Sequence, residues 1–308
     1  MISVRDLTKV YGNRIALDRV SFTVPKGEIF GFVGPNGAGK TTTIRILAAL
    51  LEPSGGQALI DGADVTQEPD LVHERLGYMP DFFGVYDQLT VSEYLHFYAA
   101  CYRQPRERRT KIVNDLLELV GLPDRRDQAV DSLSRGLKQR LCLARALVHD
   151  PAVLLLDEPA SGLDPRARVE MREILKTLQG LGKTIVISSH ILPELTELCS
   201  MVGIIDHGRI RATGPVHDVI ERLTSGRRLR ITVIGRREEA AAMLKSLPSV
   251  HEVEAVEGAI EAAFEGDETT AAGILQSMIA AGIKVFGFNQ MDSDLEDAFL
   301  KATSDEVG

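Results

Sequence analysis

The 308-residue chain has no tryptophan, three cysteines and only 5% aromatic residues. The cysteines, Cys101, Cys142 and Cys199, stand far apart with no C-x-x-C pair. That spacing excludes a disulfide framework or cysteine-metal knuckle and fits structural thiols in a reducing compartment. Positive charge is also in short supply: 35 Lys plus Arg against 44 Asp plus Glu leave a net charge of −9. Such a chain lacks the bulk positive field that a nucleic-acid backbone asks for, so no direct nucleic-acid partner is expected. Long apolar runs are missing too. Runs such as residues 46–51 and 153–156 fall far short of the ~20 residues of a bilayer-spanning helix. The opening Met1-Ile2-Ser3-Val4-Arg5-Asp6 alternates apolar with polar, unlike a basic region leading into an apolar signal core.

What is present is ordinary globular composition, 44% apolar and 26% charged, enough to bury a sizeable core. Charge is unevenly spread. Residues 1–224 hold 27 basic and 29 acidic side chains, whereas residues 225–308 hold 8 and 15. The break coincides with a candidate linker at 223–228, which divides a large unit, 1–222, from a small acidic one, 229–308.

Periodicity sketches both. Short alternating stretches at 2–10 and 17–24, turned at Tyr11-Gly12-Asn13 and Pro25-Lys26-Gly27, predict antiparallel sheet. A buried strand at 28–33 then runs through a glycine-rich turn into a helix beginning near Thr42. A helical insert occupies about 82–148, with Thr90 and Glu93 as a capping box. From residue 153 onward strands alternate with helices, which predicts a largely parallel sheet. The small unit reads β-α-β-β-α-β, a ferredoxin-like order, followed by an amphipathic piece at 295–302.

The chemistry starts at Gly34-Pro35-Asn36-Gly37-Ala38-Gly39-Lys40-Thr41, which matches G-x-x-x-x-G-K-[ST] between a strand and a helix. The glycines let backbone N–H groups close on phosphate oxygens, and the helix N-terminus and Lys40 add positive charge. Thr41 offers a hydroxyl to Mg²⁺, and Thr42 continues the phosphate-facing turn. Downstream, Val153-Leu154-Leu155-Leu156 ends in Asp157-Glu158, placing two carboxylates at the carboxyl edge of the sheet. Asp157 suits Mg²⁺, and Glu158 suits polarisation of an attacking water. No Asn-Lys-x-Asp guanine-reading element occurs, so ATP is favoured over GTP.

With these residues in order, the sequence resembles the ATP-binding subunit of ABC (ATP-binding cassette) transporters over about residues 1–222. Leu133-Ser134-Arg135-Gly136-Leu137 resembles the Leu-Ser-Gly-Gly-Gln signature, Ser161-Gly162-Leu163-Asp164 the D-loop, His190 the switch histidine and Tyr11 the adenine-stacking aromatic. The resemblance implies a P-loop NTPase fold of class α/β with an N-terminal antiparallel β subdomain and a helical insert. It also implies a homodimer or heterodimer sandwiching two ATP·Mg²⁺, with Ser134 and Gly136 acting across the dimer. Read alone, Ser134 is equally an ordinary helix N-cap, His190 a core histidine and Tyr11 a strand-end aromatic.

Two departures stand out. The family's Gln near residue 80 is replaced by Asp81, which can approach Mg²⁺ but cannot donate an amide hydrogen bond. In the signature, Arg135 replaces the first glycine and Leu137 the glutamine. These variants, with the tail Asp294-Leu295-Glu296-Asp297-Ala298-Phe299-Leu300-Lys301, look like the ATPase subunits of ABC-2-type exporters, including antibiotic and multidrug efflux systems. That resemblance implies a separate transmembrane permease and a peripheral position on the cytoplasmic face of the membrane. The alternative is a soluble ABC ATPase with a non-transport or regulatory role. Phe82, Phe83, Val85 and Tyr86 form either a docking loop for the permease or core. Arg103, Arg106, Arg108, Arg109 and Lys111 form either a lipid-facing patch or a solvated helix face. The acidic tail is read as a dimer-stabilising or regulatory domain.

Overall fold

The computed structural model describes residues 1–81, 84, 88–189, 192–223, 227–256, 258–291, 299 and 302. His190, the aromatic positions 82, 83, 85 and 86, the linker positions 224–226 and most of 295–302 lie outside the described residues. The chain divides into two compact units, Met1–Val216 and His217–Gly308.

The first unit opens with β1 (Ile2–Tyr11), β2 (Arg14–Val24), β3 (Ile29–Val33), α1 (Lys40–Leu47), β4 (Gly55–Ile60), β5 (Ala63–Asp64), α2 (Pro69–Arg75) and β6 (Leu76–Met79). Three helices follow: α3 (Val91–Cys101), α4 (Arg106–Leu119) and α5 (Arg135–Leu147). The chain then alternates through β7 (Val153–Asp157), α6 (Pro165–Gly180), β8 (Thr184–Ser189), α7 (Leu192–Leu198), β9 (Met201–Asp206) and β10 (Arg209–Pro215) to α8 (Val216–Leu223), whose first residue closes the unit.

These elements make two sheets. The first is antiparallel, in the order β2-β1-β4-β5. The second, β10-β9-β3-β8-β7-β6, is parallel except for the edge strand β10. Its central strands β3, β8 and β7 are buried at every position, as continuous Ile, Val, Leu and Phe runs require. One apolar core joins the sheets: Phe22 of β2 stacks on Phe30 of β3 at 5.1 Å, and Phe32 tilts against both. In the insert, α3 starts at the expected capping box, Thr90 accepting from the Glu93 N–H while Glu93 reaches back to the Thr90 N–H.

The second unit holds β11 (Arg227–Val233), α9 (Arg237–Ser246), β12 (Val250–Val256), β13 (Ala259–Phe264), α10 (Glu268–Ala280) and β14 (Val285–Met291). Its strands pair antiparallel in the order β12-β13-β11-β14 around a core of Leu229, Ile231, Ile260 and Phe264, closed by Leu244, Ile274 and Met278 from the helices.

The thiols are separated by burial. Cys101 is exposed, while Cys142 and Cys199 are buried. Desolvation pushes Cys142 up to about 11 and raises Cys199 further still. A maleimide added to native protein at neutral pH should therefore modify one site, Cys101, and all three after denaturation, as counted by mass spectrometry. Prompt native labelling of Cys142 would contradict this packing. The same logic gives a stability test: Leu155→Ala removes a fully buried side chain of β7 and should cost about 2–5 kcal/mol in chemical unfolding.

Candidate functional site

The site assembles where β3 and β7 end. The chain leaves β3 at Gly34, wraps a loop and enters α1 at Lys40, with Gly39 as N-cap at φ 114°. Gly39 is required twice over: a Cβ there would occupy left-handed space and stand 2.7 Å from Leu17 Cδ2. The loop encloses the Lys40 side chain, which is only 7% exposed. Its ammonium donates to the Gly34 carbonyl at 2.6 Å and the Pro35 carbonyl at 3.2 Å. Burial lowers its pKa, and the carboxylates of Glu158 and Asp157 push the other way.

The acidic pair is set by strand register. β7 and β8 run parallel with Asp157 opposite Ser188. The Ser188 hydroxyl donates to Asp157 Oδ1 at 2.5 Å and accepts from the Glu158 N–H at 3.0 Å. Asp157 is 2% exposed and Ser188 fully buried. Beyond the strand the chain turns sharply, with Glu158 at φ 53°. A non-glycine residue there costs about 1–3 kcal/mol, which is typical of a side chain aimed at a reaction centre. The turn carries Glu158 Oε1 to 4.0 Å from Lys40 Nζ.

A cavity of about 530 Å³ opens over this pair. Its walls include the expected Asn36, Gly37, Gly39, Lys40, Thr41, Thr42, Asp81, Glu158 and Tyr11. Tyr11 is 48% exposed, with Lys9 Nζ 5.2 Å from its ring centre. Arg14, Ala16 and Ser161 line it too. Sequence reading passed over Arg14, whose signal was the two-residue turn that pairs it with Tyr11 across the hairpin. Ser188 was likewise read only as a strand residue.

Not every expected residue joins this cavity. Ser134 and Gly136 are absent from its walls. Ser134 caps α5, its hydroxyl accepting from the Leu137 N–H at 3.4 Å. Gly136 is half-buried beside it, and a Cβ there would stand 3.4 Å from Leu163 and Ala167. Asp164 caps α6 through the Ala167 N–H.

Oxygen donors for a divalent ion are the Thr41 hydroxyl and the carboxylates of Asp157 and Asp81. Among the described residues no group of three or more His, Cys, Asp or Glu could hold a metal. A sparse, all-oxygen set suits Mg²⁺, which takes one or two carboxylates and fills its octahedron with water and phosphate oxygens.

Comparison with known proteins points the same way. Residues 17–161 match the family model described as ABC transporter. The chain is 32% identical to the linearmycin resistance ATP-binding protein LnrL of Bacillus subtilis, covering 98% of both chains. It is 34% identical to the daunorubicin/doxorubicin resistance ATP-binding protein DrrA of Streptomyces peucetius, covering 98% of this chain and 92% of that one. Among solved structures, an ATP-binding subunit of an ABC transporter matches with TM-score 0.67 and 30% identity over 73% of this chain and 93% of that one. A dimeric ATP-binding cassette in a post-hydrolysis state with ADP and phosphate matches with TM-score 0.64 and 25% identity, over 70% and 98%.

Because the Ser188 hydroxyl serves two buried partners, Ser188→Ala should lower unfolding free energy by about 1–3 kcal/mol in a denaturant titration. An unchanged midpoint would mean that Asp157 does not depend on it.

Proposed function

The chain belongs to the ABC transporter family as the ATP-binding and ATP-hydrolysing subunit of an exporter, and from that premise we propose how its residues divide the work. The observation that carries the proposal is the meeting of Lys40 and Glu158 in one cavity, with the Ser188-held Asp157 next in the chain to Glu158 and with Ser134 and Gly136 outside its walls.

The loop 34–41 binds the β and γ phosphates through backbone N–H groups, with Lys40 moving from the Gly34 and Pro35 carbonyls to phosphate oxygens. Thr41, Asp157 and Asp81 would hold Mg²⁺, which when bound neutralises the phosphate charge. Glu158 accepts the proton of the attacking water. His190, at the end of β8, orients Glu158 and γ-phosphate as the family resemblance implies. Tyr11 stacks on adenine. Ser134 and Gly136 complete the site of a second subunit, so hydrolysis requires a dimer closed on two ATP.

Among the described residues no helix is long and apolar enough to cross a membrane. Export therefore needs a transmembrane permease, with this subunit peripheral on the cytoplasmic face. A groove of about 410 Å³ lined by Leu50, His73, Tyr78, Tyr98, Tyr102 and Arg145 joins the insert to the sheet and offers an apolar seat for it. The relatives named for linearmycin and daunorubicin/doxorubicin resistance make an antibiotic-type small molecule the favoured cargo class. The second unit is a ferredoxin-like accessory domain, supported by its strand order β12-β13-β11-β14, and its acidic surface belongs to dimer stabilisation or regulation.

Glu158→Gln keeps the shape of the site and removes the base. Phosphate release should fall at least about 100-fold, and ATP should hold the variant as a dimer on size exclusion. Normal turnover by this variant would refute the assignment of the base.

A further inference from the structure

The departure at the signature, Arg135, meets the loop 161–164 in space. Arg135, at the first position of α5, lays its guanidinium across Gly162: a Cβ on Gly162 would stand 2.5 Å from Arg135 Nη1, 2.6 Å from Cζ and 3.1 Å from Nε. Gly162 itself sits at φ 68°. The guanidinium thus occupies the space that a side chain at 162 would need, and any such side chain would displace it. One turn along α5, the buried Gln139 donates its amide to the Ser161 carbonyl at 3.1 Å. Between them a Cβ on Gly136 would stand 3.4 Å from Leu163 and Ala167. Two contacts, the guanidinium over Gly162 and the Gln139–Ser161 hydrogen bond, therefore join the start of α5 to loop 161–164 within one chain.

Arg135 makes no ion pair among the described residues. A planar guanidinium can lie flat against a bare backbone in a way a lysine ammonium cannot. The far end of the same loop touches the reaction centre, since the Ser161 N–H donates to the Glu158 carbonyl at 3.1 Å.

We infer that Arg135 is a positioning residue: its guanidinium over Gly162 straps the start of α5 to the loop that follows Glu158, so that the surface presented to the partner subunit's nucleotide moves with the subunit's own catalytic turn. The inference rests on the reading that Ser134 and Gly136 act across the dimer. Arg135 need not touch nucleotide. It makes one rigid body of two segments that face different ATP molecules.

The test uses steady-state ATP hydrolysis by the full chain, with melting temperature as the folding control. Arg135→Ala should lower kcat about tenfold with KM for ATP within about twofold, because the cavity that binds ATP does not include Arg135. Arg135→Lys should behave like Arg135→Ala, since positive charge without a flat guanidinium does not restore the contact. Gly162→Ala should cost a similar factor in the native background and clearly less beside Arg135→Ala, because the arginine it displaces is already gone. Full activity in Arg135→Lys would show that charge alone matters and would overturn the inference, as would losses that simply multiply in the double variant. The dimer reading fails separately, through an absence of ATP-trapped dimer in Glu158→Gln.

Discussion

A buried ammonium is the constraint around which the first unit is arranged. Lys40 lies almost wholly out of water, with two loop carbonyls and a carboxylate 4.0 Å away as its surroundings. A cation in such a place is expensive unless something anionic is brought to it. The parallel sheet does this by geometry. With β3, β8 and β7 side by side and running the same way, the loop after β3 and the acids after β7 must emerge at the same edge. The intervening strand supplies Ser188, which fixes Asp157 and anchors the backbone of Glu158. Charge pairing, sheet order and the left-handed turn at Glu158 are therefore one solution to one electrostatic problem.

That solution was legible in the sequence where residues act through local pattern. The apolar runs of β3, β7 and β8, the glycine spacing before Lys40 and the Thr90 to Glu93 capping box each follow from short-range physics, and each lies where expected. Expectation failed where a role depends on register or on an edge. Ser188 is one small polar residue in an apolar strand until its alignment with Asp157 is known. Arg14 becomes a wall of the cavity only through hairpin pairing with Tyr11. Strand β10 was passed over because Arg209 and Arg211 break its apolar signal, which an antiparallel edge strand tolerates.

The same distinction explains why a motif can change letters and keep its place. At the signature, Arg135 would be a clash if position 162 carried a side chain, and glycine there removes the clash. At residue 81 an acid stands where the family keeps an amide, yet it still lines the cavity beside Thr41 and Glu158. Each substitution keeps its backbone position while altering size, hydrogen bonding or charge. The backbone that carries these positions is held by the sheet core, so local chemistry is free to drift.

Charge arithmetic at the cavity then limits how ATP can enter. Asp81 and Glu158 line it and Asp157 stands directly behind, three carboxylates against the two cations Lys40 and Arg14. A polyphosphate carrying several negative charges meets net like charge there, and at 4 Å each unlike or like pair is worth about 4 kcal/mol at an effective dielectric of 20. Loop N–H groups and the α1 dipole offset part of this. The Mg²⁺ proposed for the site would offset the remainder, and on that proposal an acid at residue 81 in place of the amide would favour the metal complex of ATP over the free anion. The acidity that matters for function is this local excess of carboxylate, which the overall net charge of −9 does not reveal.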